Sequence, residues 1–318
     1  MDTAPQIVRY GALIPCRTAF IDAHTPGSDH KENFTVIGGG VSESPDQHVH
    51  IATPHGFNIG AAGQPPRCRN SLHDHRTAEA FFVLSGRWRF FWGRWGDAGE
   101  VTLEPGDIFN IPTGIFRGFE NIGSDYGMVM AILGGDDAGG GVMWAPQVIE
   151  DAAAHGLILA ETGKLYDSKR GEALPPGVSP MPLMTPRELA KRPEPSTAEV
   201  LPNHVARYWD MVALADRAPC KVIGAAGLLR DRPGFEVDFI TSGSASDAPQ
   251  SRDRPTVLMP VRGHWRVTWP GGSDTLAPGD TMSVPAGLAH AALPSMSGDA
   301  GLYRVTGTGD PAGPTWRG

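Results

Sequence analysis

Apolar and polar positions alternate along this chain in short runs cut by Gly and Pro. In "SGRWRFFWG" (residues 85–93) Trp88, Phe90 and Trp92 fall on one parity, and in "RGHWRVTWPGG" (262–272) Trp265, Val267 and Trp269 do the same. That period of two is the mark of half-buried strands, and the punctuation predicts hairpins. Both runs share the frame G-x-W-R-x-x-W. Each is followed by a second matching run, "LEPGDIFNIPTGIFRGF" (103–119) and "LAPGDTMSVPAGLAHAA" (276–292), with P-G-D and then Pro-x-Gly at equal distance. The same order in both halves is an internal duplication. It predicts an all-β chain of two tandem barrels.

The texture changes between the repeats. "APQVIEDAAAHGLILA" (145–160) has apolar residues at helical spacing with a Pro near its start, where a helix tolerates one. The Pro-rich stretch that follows predicts an extended linker, with the boundary at 175–202. The expected organisation is an N-terminal extension (1–33), a first barrel (34–144), a helix and linker (145–202) and a second barrel (203–318). The extension belongs to neither repeat and needs a surface to pack on, a barrel or a partner subunit.

Composition narrows the function. Gly and Pro make up more than a fifth of the 318 residues, in keeping with short strands and many turns. A formal charge of −8 and no Lys/Arg block argue against nucleic acid as a partner. No apolar run approaches a membrane span, and the N-terminal stretch lacks the basic start and apolar core of a secretory signal. Cys16, Cys68 and Cys220 are odd in number and without CxxC, which predicts reduced thiols and a cytoplasmic protein.

The chemistry centres on "SLHDHRTAEAFFVLSG" (71–86). If "LHDH" is extended, His73 and His75 point to one side, and Glu79 follows four residues on. Two imidazoles and a carboxylate converging on one point form a metal site. Gly-rich segments at 38–40 and 134–141 lack a Lys-Ser/Thr and a strand–helix context, so they predict no phosphate site, and Asp136 and Asp137 read as turn residues. No feature suggests an activated thiolate at Cys68, and no nucleophile elbow is found. His48 and His50 repeat the i, i+2 pattern without a carboxylate at the right distance, and read as exposed strand or loop residues.

His73-x-His75-x-x-x-Glu79 with Gly86 resembles the first motif of the cupin superfamily, and Gly106…Pro112-x-Gly114…Asn121 resembles the second. With the second copy, the chain resembles a bicupin over most of 34–135 and 203–308. The resemblance implies two small antiparallel jelly-roll barrels and metal ligands that are the two histidines and the glutamate of motif one plus a histidine of motif two. Here that last position is Arg117. In the second half it is His290, but Gln250, Arg252 and Thr256 stand where the first-motif ligands belong. The second barrel is therefore expected to be metal-free, with His290 a hydrogen-bonding residue of a pocket or core.

Two readings of Arg117 stand. As an inward cation it would orient a carboxylate or enolate of a substrate beside a three-ligand ion. Alternatively it replaces the ion by pairing with Glu79. His55 is a further donor that could fill the vacant position. Strand parity adds Arg69, Ser71, Phe81 and Val83 to the face of His73, Phe119 to that of Arg117, and Phe57 and Ile59 to that of His55. Among these, Arg117, Arg69, Phe81, Phe119 and His55 form the expected substrate lining. Trp88, Trp92, Trp265 and Trp269 occur in both halves and read as packing.

Two histidines and one carboxylate suit Fe(II), and also Mn, Ni, Co or Zn. The leading expectation is a divalent-metal dioxygenase for a small aromatic or enolisable anion, as similarity to quercetinase-like and gentisate-like bicupins implies, with Glu79 and Arg117 serving the chemistry. The rivals are a non-oxidative metal-dependent isomerase, lyase or decarboxylase, and a non-catalytic small-ligand binder. A homodimer is also expected.

Overall fold

In each repeat two mainly antiparallel sheets face each other and enclose a core, the one parallel pair among the named strands being Glu32–Ile37 with Val49–Ile51. The structure is a computed structural model and describes residues 4–136, 141–229, 234–309 and 316, so Asp137 lies outside the described residues. In the first half a seven-stranded sheet runs Val205–Ala206, Ile108–Ile111, Glu79–Ser85, Gly127–Gly134, Phe57–Gln64, Glu32–Ile37, Val49–Ile51. It faces a five-stranded sheet of Met143–Trp144, Arg69–Asp74, Arg117–Asn121, Trp88–Trp92 and Gly99–Leu103. The second half repeats this with a six-stranded and a four-stranded sheet, so the fold is the expected all-β pair of barrels.

The strand Glu79–Ser85 explains its own unbroken apolar run. Phe81 and Val83 point into the first barrel, where Phe81 meets Phe90 and Phe119 at ring-centroid distances of 5.4 and 5.1 Å. Ala80 and Phe82 point outward and are equally buried, because the large sheets of the two barrels stack on one another. A strand covered on both faces loses its polar parity. Phe82 lies 4.7 Å from the ring of Tyr303, whose hydroxyl donates to the Gly106 carbonyl at 2.6 Å, so both the core and a buried hydrogen bond join the halves.

Two strands cross to the opposite barrel. Gln6–Val8, at the N-terminus, pairs with Thr281–Val284 of the second barrel, and Arg9 holds Asp280 at 2.8 Å. Val205–Ala206, leading into the second repeat, pairs instead with Ile108–Ile111 of the first. The N-terminal extension thus packs on both barrels. Further along, Lys31 and Asp22 form a fully buried ion pair, and Asp22 also accepts from the Ser71 amide at 3.0 Å.

The connecting segment differs from the expected extended linker. Its helix is shorter than the pattern suggests, Pro146–Ala154, and gives way to the hairpin Leu157–Leu159 and Leu165–Asp167. Two further short helices, Pro186–Leu189 and Thr197–His204, each begin with a capping box, Thr185/Glu188 and Ser196/Glu199. The S/T-x-x-E spacing is present in the sequence, but prolines around it obscure it. No helix among the described residues is long and apolar enough to cross a membrane. All three cysteines are free and buried.

Candidate metal centre

Three strand ends build the site. His73 and Asp74 close the strand Arg69–Asp74, His75 follows it, Glu79 opens the next strand, and Arg117 opens a third, directly across from His73. One ligand atom from each of His73, His75 and Glu79 lies within 4.8 Å of the others, and all three residues are buried. Among the described residues no second group of this kind occurs.

The local bonds suit ion binding. His73 Nδ1 donates to the Ser71 carbonyl at 2.7 Å, which leaves the Nε2 lone pair for the cluster. Burial, with the nearby Arg117 guanidinium, holds the pKa of His73 well below the usual imidazole value, and burial lowers that of His75. Both rings are therefore neutral at neutral pH, the form in which an imidazole can bind an ion. His75 Nε2 lies 3.5 Å from Glu79 Oε1.

Arg117 is bound to the framework and does not face an incoming anion, a correction to the first of the two readings. Its Nη2 pairs with Glu79 Oε2, and its Nη1 donates to the His73 carbonyl at 2.9 Å and to Asp74 Oδ1 at 3.2 Å. Asp74, between the two histidines, is the anchor that the motif spacing does not reveal. It also accepts from the His75 amide at 2.8 Å, from the Gly114 amide at 3.0 Å and from Arg192 of the connecting segment at 2.8 Å. Arg192 in turn stacks on Phe116 at 4.7 Å. The pair with Glu79 uses only the outer carboxylate oxygen. Oε1, on the side of His75, remains available, so two imidazoles and one carboxylate oxygen fit a divalent ion with Arg117 in place.

Other expected lining residues are sorted by a bulge. Arg117 pairs with His73 but Phe119 pairs with Asn70, so the register slips between them. Asn70 therefore enters the cavity, whereas Arg69 is exposed and Ser71 turns aside to Ser28. Phe81 and Phe119 do line the cavity, and Val83 sits in the packed core below it. His55 is remote from the site. Its Nδ1 meets the Thr53 carbonyl at 2.6 Å and its Nε2 meets Ser283 of the second barrel at 2.7 Å, so it cannot complete the ligand set. Asp136 is a turn residue that caps the His55 and Gly56 amides. His48 is exposed, whereas His50 is half-buried, its ring held between the Thr35 carbonyl and the Ile14 amide.

The cavity over the cluster is about 70 Å³. For scale, an apolar cavity of roughly 150 Å³ can bind benzene, and one water occupies about 30 Å³. This volume suits an ion with one or two small ligands. Phe20, Val41 and Trp144 cover it. Glu43 fastens this cover by accepting from the Ile21 amide at 3.0 Å and from Trp144 Nε1 at 2.7 Å. The carboxyl end is enclosed although the residue is half-exposed as a whole, and burial pushes its pKa up to about 8.

In the second barrel Thr256 and His290 are buried and Gln250 pairs with His290 across the strands, so the ligand positions hold no cluster. The tryptophans pack structurally: Trp88 Nε1 donates to Ser85 O and Trp265 Nε1 donates to Arg262 O, the same bond in both repeats.

Comparison with known proteins bears on the fold that carries this site. A family model described as "Cupin domain" matches residues 63–133, which span both motifs of the first barrel. No curated protein sequence matches the chain. Among solved structures, oxalate decarboxylase from Lactobacillus farciminis, in a formate complex, superposes with TM-score 0.55 at 12% identity over 96% of this chain and 87% of that one. Salicylate 1,2-dioxygenase from Pseudaminobacter salicylatoxidans gives 0.55 at 15% identity over 97% and 85%. Protein Ylba from E. coli gives 0.53 at 8% over 98% and 93%. At such identities the likeness is one of fold, and it extends over both barrels. Residues 63–133 match the cupin domain model, and the chain as a whole has the two-barrel fold of these solved structures.

Proposed function

We propose that the first barrel is a metal-dependent dioxygenase site for a small anionic substrate, with His73, His75 and Glu79 as the ligands. The convergence of those three donors carries this reading, because two neutral imidazoles and one carboxylate suit Fe(II) while leaving positions open. When bound, a divalent ion would supply Lewis acidity and, if it is Fe(II), oxygen activation. The chain's own residues do the rest. Ser71 orients His73, Arg117 fixes the outer oxygen of Glu79, and Asp74 with Arg192 holds Arg117 in place. Phe81, Phe119 and Trp144 give the cavity apolar walls.

A cavity of about 70 Å³ favours a compact acid of few heavy atoms unless the cover over Trp144 opens. The same small volume supports a second reading, non-oxidative cleavage or isomerisation of such an acid with the ion as Lewis acid alone. The two similar enzymes, a dioxygenase and a decarboxylase by name, fall on either side of this choice.

Reconstitution with Fe, Mn, Ni, Co and Zn followed by elemental analysis is the first test. One ion per chain is expected, with at least a tenfold loss of affinity in His73→Ala and no change in His290→Ala. A chain that stays metal-free removes both readings. Oxygen uptake with small keto and dicarboxylic acids then decides between them, since turnover under strict anaerobiosis leaves only the non-oxidative one.

A further inference from the structure

The second barrel keeps a cavity where the first has its donor cluster, and lines it for different chemistry. Strand register gives the correspondence residue by residue. Gln250 pairs with His290 as His73 pairs with Arg117. Leu258 pairs with Arg304 as Phe81 pairs with Ala131. Arg304 then pairs with Asp238 where Ala131 pairs with Gly60. Two small wall residues of the first barrel thus become an Arg–Asp pair in the second. Arg304 Nε and Nη2 donate to Asp238 Oδ2 at 3.1 and 2.8 Å, and the side chains are only 11% and 10% exposed. Burying such a pair costs desolvation free energy. Closing a barrel does not require it, since the first one closes with Ala131 and Gly60.

The cavity is about 230 Å³, against about 70 Å³ in the first barrel. Gln250, His290 and Arg304 supply its polar side, and Ile240, Leu258 and Ala291 its apolar side. Arg304 Nη1 reaches Gln250 Oε1 only at 3.3 Å, so donor capacity remains on both Nη1 and the Gln250 amide. His290 Nδ1 donates to the Leu288 carbonyl at 3.0 Å, which makes Nε2 the lone-pair nitrogen. Burial, with Arg304 and Arg252 nearby, keeps that ring neutral. Lys221, Arg252 and Arg304 all approach Asp238, with Glu236 as the other acid of the cluster and Asp253 near Arg252. Three cations thus meet three acids, so an added anion would be held by the free donors of Arg304 and Gln250 and not by surplus charge.

We infer that the second barrel is a metal-free binding site for a small hydroxy-acid monoanion. Its carboxylate accepts from Arg304 Nη1 and the Gln250 amide, its hydroxyl donates to His290 Nε2, and its carbon skeleton lies on Ile240 and Leu258. The inference is independent of the chemistry assigned to the first barrel.

Calorimetric titration of the full chain, stripped of metal with EDTA, tests it with L-lactate and mandelate as probes and propionate as the control lacking a hydroxyl. At least one hydroxy acid should bind at one site per chain, roughly tenfold more tightly than propionate. Binding should persist in His73→Ala and weaken at least tenfold in His290→Ala and in Arg304→Gln. His290→Ala decides alone if loss of the Asp238 pair unfolds the other variant. No binding of either hydroxy acid at millimolar concentration, equal binding of propionate, or binding abolished by His73→Ala but indifferent to His290→Ala would overturn the assignment.

Discussion

Arg117 shows how one residue can hold a charged site together before any ion arrives. It is buried, and its partners Glu79 and Asp74 are buried with it. Removing one partner of a buried ion pair commonly costs about 3–5 kcal/mol. Arg117→Ala should therefore destabilise the metal-free protein by that order in denaturant titrations, although Arg192 still compensates Asp74. A divalent ion then becomes the chief partner of Glu79, so added Mn(II) should raise the melting temperature more in Arg117→Ala than in the wild type. Glu43 gives a pH effect of opposite sense to the usual carboxylate. Its folded pKa, about 8, lies above its unfolded value, so the native state holds the extra proton. Between roughly pH 4.5 and 8 this group should make stability fall as pH rises, by at most about 1.4 kcal/mol per pH unit, and its contribution should level off above that window. Glu43→Gln should flatten this slope in melts across the range. It should also lower stability throughout, because an amide N–H would confront either the Ile21 amide or the Trp144 indole.

Among the elements, the strand Arg117–Asn121 sets the register of the whole site. Gly118 sits at its bulge, where an added Cβ would come within 2.6 Å of the Phe91 ring and 2.7 Å of the Asn70 carbonyl. Its backbone is not in the left-handed region, so the requirement is one of space. Gly118→Ala should cost about 1–3 kcal/mol by overpacking. Because the strain falls between Arg117 and Asn70, ion affinity should drop with it, whereas the cavity of the second barrel should be untouched. Parallel denaturation and metal titration would check both halves of this expectation. The short helices between the barrels act on the same strand ends: Arg192, just after Pro186–Leu189, ties the connecting segment to Asp74.

At the scale of the molecule, the two barrels share one core. Phe82, Met130 and Ile132 of the first pack in one cluster with Phe239, Met259 and Val305 of the second, and the first strand and the strand leading into the second repeat each pair with the opposite barrel. Large apolar contact between units couples their unfolding. Tryptophan fluorescence and far-UV circular dichroism should report one coincident thermal transition for the full chain. Two resolved transitions would mean that the shared core does not couple the halves. Expressed alone, the second half should aggregate, because the outward faces of Phe235–Thr241 and Thr256–Arg262 would be bared.

The duplication, the all-β character and the donors His73, His75 and Glu79 could be read from the sequence because each is encoded locally. Strand alternation has a period of two, turns need Gly and Pro, and the donors fall within seven residues of one another. The loss of ligands from the second repeat was legible for the same reason, since Gln250, Arg252 and Thr256 stand in an aligned motif. What no local pattern could supply is the destination of long or distant groups. Arg117 could face a substrate or a carboxylate, and only the packed sheets bring Glu79 and Asp74 to it. Parity would have placed Arg69 and Ser71 in the cavity, but a bulge created by the pairing of two strands admits Asn70 instead. His55 shares a plausible face on paper and ends at Ser283, because stacking of the barrels is decided by sheets more than two hundred residues apart. Local sequence sets the period of the strands and the chemical identity of the donors. The cavity's size, its cover and the pairing of its charges arise only when distant segments compete for the same interior space.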